Sequence, residues 1–583
     1  MLRKLAKSIR EYKLASILAP IFIAGEVTME VIIPLIVAKL INEGIEYKNA
    51  AGEVVGDINT LIYLGLVLVL CCIISMIFGT LSGDFAAKAS TGFAKNLRHD
   101  MFYRIQNFSF KNIDKFSSAS LVTRLTTDVN NVQMSYQMII RIAVRSPLMI
   151  IFSFAMAFYI HPSLGTVFLC VMPVLAFGLA LIIKLAFPKF TKMFKTIDHL
   201  NRVVQENLRG SRVVKSFVRE DYEIKKFDKA SNAIYDIALK ADTLVALNAP
   251  LMLLCVYACM LLISWVGANL IVAGDLTKGE LTSMFTYASQ ILMNFMMLSM
   301  IFIMLTMSKA SAERITEVLD EEPDLKSPEN PDTDVKDGSI EFRDVNFSYS
   351  NDTEKLCLSD INFSIKSGET VGVIGGTGAS KSTLVQLIPR LYDTTTGEVL
   401  VGGKDVRSYD IKSLRDAVSM VLQKNVLFSG TIKDNLRWGN ENATDEEIIK
   451  ACKLACADEF IESFPDKYDT FIEEGGTNVS GGQKQRLCIA RALLGAPKIL
   501  ILDDSTSAVD TRTDALIRKA MSEYIPETTK IIIAQRISSV ENADKIIVLD
   551  EGRISAIGTH TELLESSVIY KEVYSSQQKG GLS

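Results

Sequence analysis

The sequence has no surplus of positive charge. Its 62 Lys and Arg are outnumbered by 67 Asp and Glu, a formal net charge of -5 over 583 residues. A protein that follows a phosphate backbone needs a basic footprint, so nucleic acid is excluded as a partner. Paired cysteine motifs are also missing. The nine cysteines are scattered, and Cys71, Cys72, Cys170, Cys255 and Cys259 lie inside apolar runs, where they act as small hydrophobes rather than as a disulfide ladder. Cys452 and Cys456 stand at helical spacing with no second Cys or His pair nearby, so no zinc site is expected. No cleavable leader is expected ahead of the first apolar run, which is itself long enough to cross a bilayer.

What is present is a segregated chain. Hydrophobic residues make up 49% and charged residues 22%, a mixture that one small soluble fold does not accommodate, and ~150 residues per domain gives a prior of about four compact units. Leu61 to Gly83 contains no charge and covers a ~30 Å hydrocarbon core as a helix. Ser146 to Ile183 lacks Asp, Glu, Lys and Arg but is too long for one crossing, and His161-Pro162-Ser163 breaks it as a turn. Thr243 to Gly274 and Leu281 to Ser308 are uncharged, and Leu14 to Leu40 is apolar except for Glu26, Glu30 and Lys39. Six spans are expected, at 14–40, 61–83, 139–160, 163–187, 244–273 and 281–308, within a transmembrane domain covering 1–320.

Arg3, Lys4, Lys7, Arg10 and Lys13 precede the first span, whereas the loop from Asn42 to Ile58 holds only Lys48. The basic excess puts the N-terminus inside, and after six crossings everything beyond Lys309 is inside too. Two long polar segments, Asp84 to Met138 and Lys184 to Asp242, then fall on the cytosolic side. They keep helical periodicity and lack the Pro and Gly density of disordered linkers, so they are expected as helical arms reaching roughly 37 Å beyond the bilayer.

Residues 321–338 mix three prolines with acids and read as a linker. From 339 to 583 short β-branched runs alternate with helical stretches, an α/β texture. Gly375, Gly376, Thr377, Gly378, Ala379, Ser380, Lys381, Ser382 and Thr383 follow a strand at Thr370 to Ile374 and open a helical segment, Leu384 to Leu391. Strand, glycine-rich turn and helix together present backbone N–H groups to a phosphate. Lys381 reaches the β and γ oxygens and Ser382 can hold Mg²⁺. Downstream, Lys498 to Leu502 is a buried-strand run ending in Asp503 and Asp504, carboxylates placed to anchor Mg²⁺ at the end of a strand.

Between these lie Ser480, Gly481, Gly482 and Gln483, followed by a helical run to Leu494. Together with Tyr349, the phosphate loop, Gln423, Asp503 and Ser507-Ala-Val-Asp510, they come in the order and spacing of the ATP-binding cassette family, which the chain resembles over nearly its whole length. A six-span domain ahead of one cassette resembles a half-size exporter. Ser120 to Asp128 and Glu206 to Glu220 look like that family's intracellular loops, whose coupling helices dock on the cassettes. The resemblance implies a multidomain fold, with an all-α transmembrane domain and an α/β P-loop nucleotide-binding domain, and ATP and Mg²⁺ as cofactors. It further implies that Tyr349 stacks on adenine and that Ser382, Gln423 and Asp503 serve the metal. Ser480 and Gly482 would contact the γ-phosphate on an opposing subunit.

Three departures surround one site. Ser380 replaces a glycine of the phosphate loop, Asp504 stands where the family has a catalytic glutamate, and Gln535 stands where it has a switch histidine. Shortening a carboxylate by one methylene withdraws it by roughly 1.5 Å, and a ~1 Å misplacement can cost on the order of 10²-fold. A neutral amide donates a hydrogen bond but lacks imidazole's charge change near neutral pH. Asp504, Gln535 and Gln423 are therefore the expected catalytic positions of a slow site. The partner expected is a second, non-identical half-transporter carrying the glutamate and histidine, completed by this chain's signature. The alternatives are an ATP-gated channel or regulator and a homodimeric slow lipid exporter.

The expected cargo is an amphipathic small molecule, drug or lipid, taken from the cytoplasm or the bilayer. Met293, Met296, Met297, Met300, Met304 and Met307 share a broad face of the last span, with Gln290 and Asn294 nearby. Glu26 and Glu30 share a face of the first, where ionisable groups are costly and look toward a watery cavity or a counter-charge.

Overall fold

The computed structural model describes residues 1–46, 56–350, 352, 354–504 and 509–580. The chain divides into two compact units, 1–106 with 118–321, and 107–117 with 322–583. Its long helices in the first half are α1 (Lys13–Lys39), α2 (Ile58–Gln106), the short α3 (Phe110–Phe116), α4 (Val129–Ile160), α5 (Pro162–Arg209), α6 (Glu220–Ala246), α7 (Asn248–Ala273) and α8 (Lys278–Asp320). All but α3 belong to the first unit.

Six helical stretches among the described residues are long and apolar enough to cross a membrane. At 49 residues, α2 runs about 74 Å, more than twice a ~30 Å hydrocarbon core, so span and polar arm are one continuous rod. The turn expected at His161 is a helix start: His161 Nδ1 accepts from the Ser163 N–H at 3.3 Å and Pro162 occupies the first helical position, where a missing N–H costs nothing. Phe168, Leu175, Cys259, Ile263, Met284 and Ile291 are buried together and bind α5, α7 and α8 to one another. Tyr287 is fully buried and its hydroxyl donates to the Val31 carbonyl at 2.6 Å, meeting the rule that buried polar groups find partners. Where the arms meet, buried Asp128 accepts from Arg314 Nε at 2.7 Å and Nη2 at 2.5 Å.

The second unit is built on two larger sheets, beside a two-stranded pairing of 430–431 with 471–472. Strands β1 (Ile340–Phe347), β2 (Leu358–Ile365), β3 (Thr370–Gly375), helix α9 (Lys381–Gln386), β4 (Thr396–Val401), β5 (Lys404–Asp405) and β6 (Val418–Val421) come first. Helix α10 (Gly481–Leu494), β7 (Ile499–Asp503), α11 (Thr511–Tyr524), β8 (Thr529–Ile533), β9 (Lys545–Asp550), β10 (Arg553–Gly558) and α12 (Val568–Gly580) complete it. A four-stranded sheet has the order β2-β1-β4-β5, and a six-stranded sheet the order β10-β9-β3-β8-β7-β6, with only β9–β10 antiparallel. Parallel strands need both faces covered, and β7 and β8 are buried at every residue. The helix after the phosphate loop is shorter than its apolar pattern suggests, ending at Gln386 with a turn to Arg390 at φ 50°. Pro389 explains this, because it disfavours helical geometry in the residue before it.

Helix α3 clusters with this unit. Ser109 caps it through a reciprocal box with Asn112, and Tyr392 Oη donates to Asp114 at 2.9 Å. The short helix of the first loop thus lies at 110–116, upstream of the Ser120 to Asp128 stretch that carries the loop's sequence likeness.

Candidate nucleotide site

The parallel sheet sets the site. Neighbouring strands β3, β8 and β7 end on one edge, with Ile533 paired to Val373 and to Asp503, so residues 375–383, 503–504 and 535 converge there. A side chain on Gly375 would put its Cβ 2.3 Å from the Leu549 carbonyl, so only glycine lets β3 reach the loop beside β9. Gly378 takes φ 86°, the left-handed region that glycine enters without strain. Ser380 takes φ 65° without that freedom, and its side chain makes no cap hydrogen bond to α9.

Lys381 turns back on its own loop, its Nζ donating to the carbonyls of Gly375 at 2.8 Å and Gly376 at 2.9 Å. Burial holds its ammonium below the usual lysine range, against the attraction of Asp503 and Asp504. Ser382 Oγ donates to Asp503 Oδ1 at 3.0 Å, which brings a hydroxyl and a carboxylate together. Asp503 is buried, and desolvation pushes its carboxyl above the ordinary 3.8 despite the hydrogen bond from Ser382. These are hard oxygen donors, and Mg²⁺ in nucleotide sites takes few protein ligands beside substrate phosphates, so Ser382 and Asp503 fit that ion. Bound there, it would neutralise phosphate charge.

Asp504 sits at φ 47° directly after β7, its N–H donating to the Ile533 carbonyl at 3.0 Å. Gln535 Nε2 donates to Asp504 Oδ2 at 2.8 Å, and the Gln423 side chain also bonds this carboxylate. Burial nevertheless raises its pKa above the ordinary 3.8. Of the three positions expected to act on the attacking water, the structure brings Gln535 and Gln423 both onto Asp504.

Tyr349 lies half-exposed beside the loop, its hydroxyl 3.0 Å from Thr383 Oγ1 and its ring edge-on to Tyr392 at 5.1 Å. Ser480 opens α10 as anticipated, through a reciprocal box: its Oγ accepts the Gln483 N–H and Gln483 Oε1 accepts the Ser480 N–H at 2.9 Å. Asp510 caps α11 by accepting the Thr513 N–H at 2.9 Å, a local duty independent of nucleotide. Ser507 and Ala508 lie outside the described residues. One contributor escaped sequence reading. Gln577 on α12 donates to the Gln535 carbonyl at 2.7 Å, 42 positions away, and accepts the Ile537 N–H at 2.9 Å, pinning the backbone just after residue 535. No motif marks such a contact.

In the first unit, Arg145 Nη2 donates at 2.8 Å to both oxygens of Glu30, the counter-charge that the acidic face of α1 required. Met293, Met296, Met297 and Met300 are exposed on α8, Met304 is half-buried, and the Met307 side chain lies outside the described residues. Gln290 Oε1 accepts from Ser153 Oγ at 3.2 Å and Asn294 donates to the Gln290 carbonyl.

Family models place the chain directly. Residues 16–296 match the ABC transporter transmembrane region and 358–507 match the ABC transporter model. The ABC transporter ATP-binding protein YfiB of Bacillus subtilis (strain 168) is 37% identical over 99% of this chain and 98% of its own. The chain belongs to the ABC transporter family. An ATP-dependent lipid A-core flippase of Desulfotalea psychrophila (strain LSv54 / DSM 12343) is 34% identical over 83% of this transporter and 84% of its own length. A solved bacterial Atm1-family ABC exporter with ATP bound superposes at a TM-score of 0.83, with 25% identity, covering 98% of this transporter and 99% of that chain. The transporter is thus a multi-pass half-size exporter whose cytoplasmic ATPase domain follows six membrane helices.

Proposed function

We propose that this exporter half works in a heterodimer, supplying the Walker motifs of a slow ATP site and lending Ser480, Gly481, Gly482 and Gln483 to a fast site on a non-identical partner. The observation that carries the reading is the 2.8 Å hydrogen bond from Gln535 to Asp504. A carboxylate that activates water needs a free oxygen within reach of it. Asp504 is one methylene short of glutamate and is held by two amides. Its raised pKa favours base strength, so geometry rather than basicity limits the site.

The cargo is an amphipathic small molecule or lipid moved out of the cytoplasm or the inner leaflet. The likeness to a lipid A-core flippase supports a lipid-like cargo. The roles of Tyr349 at adenine, Lys381, Ser382 and Gln423 at phosphate and metal, and Ser480 and Gly482 at the partner's γ-phosphate belong to the same reading. The test is ATP turnover by the purified chain alone, before and after Asp504→Glu with Gln535→His. Very low turnover that the double change raises is expected; brisk turnover of the unaltered chain contradicts the proposal.

A further inference from the structure

We propose that the cavity between α1, α2 and α4 binds a zwitterionic amphiphile in which an N–H-bearing ammonium lies between the apolar tail and a terminal acidic group. Glu26 takes the ammonium and Arg141 the acid. The inference rests on the chain being an exporter half and names the chemistry of its cargo or of a lipid held beside it.

The cavity measures about 790 Å³ and its wall includes Glu26, Glu30, Cys72, Met76, Asp84 and Arg141. Most of its charges are already matched. Arg145 Nη2 serves both oxygens of Glu30, and Lys88 Nζ donates to Asp84 at 2.6 Å. Two groups keep unfilled hydrogen-bonding capacity, although Glu26 lies in ion-pair range of Arg145 and feels the charge of Arg141. Glu26 Oε1 lies 3.6 Å from Arg145 Nε, beyond hydrogen-bond range, and Glu26 Oε2 is buried with no hydrogen-bond partner. Arg141 makes no hydrogen bond or ion pair among the described residues. A buried acceptor left unmet is costly, and a free guanidinium fork matches a carboxylate. The site therefore offers an open acceptor to one N–H cation and an open donor fork to one anion.

Their spacing and order come from α2. A Cβ on Gly79 would lie 3.3 Å from the Glu26 carboxyl carbon, and one on Gly83 would lie 4.0 Å from Arg141 Nη1. Residues 79 and 83 are one helical turn apart, about 6 Å along the axis. Met76 and Cys72 lie about one and two turns on the other side of Gly79 and supply apolar wall. Tail, ammonium and acid thus follow one another along one helix. A simple cation leaves Arg141 unmet and a simple anion leaves Glu26 unmet.

The experiment is native mass spectrometry of the full-length transporter, without nucleotide, in a neutral maltoside detergent. The probes are N-dodecyl-β-alanine, dodecylamine, dodecanoate and N-dodecyl-N,N-dimethylglycine, whose quaternary nitrogen has no N–H. N-dodecyl-β-alanine is expected to bind about tenfold tighter than the other three, the size of one charge-assisted hydrogen bond. Glu26→Gln should reduce it to the dodecanoate level and Arg141→Gln to the dodecylamine level. Gly79→Ala, which crowds the Glu26 carboxyl while keeping every charge, should weaken N-dodecyl-β-alanine and dodecylamine but leave dodecanoate unchanged. Equal binding of the four probes overturns the inference, as does an equal loss of all four in Glu26→Gln, which marks a purely structural acid. Because binding is read without ATP, either result leaves the heterodimer reading standing, and brisk turnover by the lone chain leaves the binding order standing.

Discussion

Gln535 Nε2 donates to Asp504 Oδ2 at 2.8 Å, so the two residues proposed to stand in place of a catalytic glutamate and a switch histidine are bonded to each other. Each departure is matched to the other: a glutamine is a good donor to an aspartate, and the shorter acid remains in reach of the amide.

Breaking this bond should not harm turnover much, because the oxygen it occupies contributes little to it. Asp504→Ala in the assembled exporter is expected to lower ATP turnover by less than about twofold. Asp504→Glu with Gln535→His should raise turnover of the isolated chain by at least about tenfold, within the range by which a ~1 Å placement of a catalytic group matters. Phosphate release measured on the three proteins checks both.

Ser380 pays for a left-handed backbone that glycine would adopt freely. Relief of that strain is worth about 1–2 kcal/mol, and glycine's extra chain entropy removes about 0.5–1. Ser380→Gly should therefore stabilise the cassette by about 0.5–1 kcal/mol, and Ser380→Val should destabilise it, in denaturant unfolding. ATP affinity of the glycine variant should be equal or higher.

Gln577 fastens α12 to the backbone on either side of Arg536, directly after position 535. Two hydrogen bonds of ordinary net worth, about 0.5–1.5 kcal/mol each, are lost in Gln577→Ala. Hydrogen exchange at the Ile537 amide should accelerate, while amides in the centre of β7 keep their protection. Unchanged exchange at Ile537 would show the clamp to be idle.

Asp503 carries a pKa raised by burial. Its folded form binds a proton more tightly than the unfolded chain, so its contribution to folding stability falls as pH rises from the ordinary 3.8 through the raised value and then levels. Mg²⁺ needs the ionised carboxylate, so Mg²⁺-dependent ATP binding should weaken on acidification at a higher pH than an ordinary aspartate would cause. Nucleotide titrations across the acid range should show this slope, and Asp503→Asn should abolish it along with most of the metal dependence.

Much of this was legible because it is local in sequence. Uncharged runs marked the spans, the glycine-rich turn after a strand marked the phosphate loop, and Ser480 followed by Gln483 at the third position carried a capping box that the structure bears. What was not legible depends on residues far apart in the chain. Arg145 stands 115 positions from Glu30, at the edge of an uncharged run, and no periodicity links the two. Gln577 reaches residue 535 only because α12 folds back on the β8 end. The helix at 110–116 is short, capped by Ser109 and Asn112, and lies beside a more family-like stretch. Pro389, visible in the sequence, should have shortened the helix after the phosphate loop.

The central claim is asymmetry between two sites, and composition joined to turnover tests it most directly. The tagged chain should be isolated from its native membranes, weighed intact as a complex, and assayed for ATP hydrolysis with and without its companion. One copy of this chain with one different half-transporter bearing glutamate and histidine at the positions of Asp504 and Gln535, and hydrolysis that vanishes when the companion's glutamate is replaced, is the result expected. Two copies of this chain alone, hydrolysing ATP briskly, would contradict it.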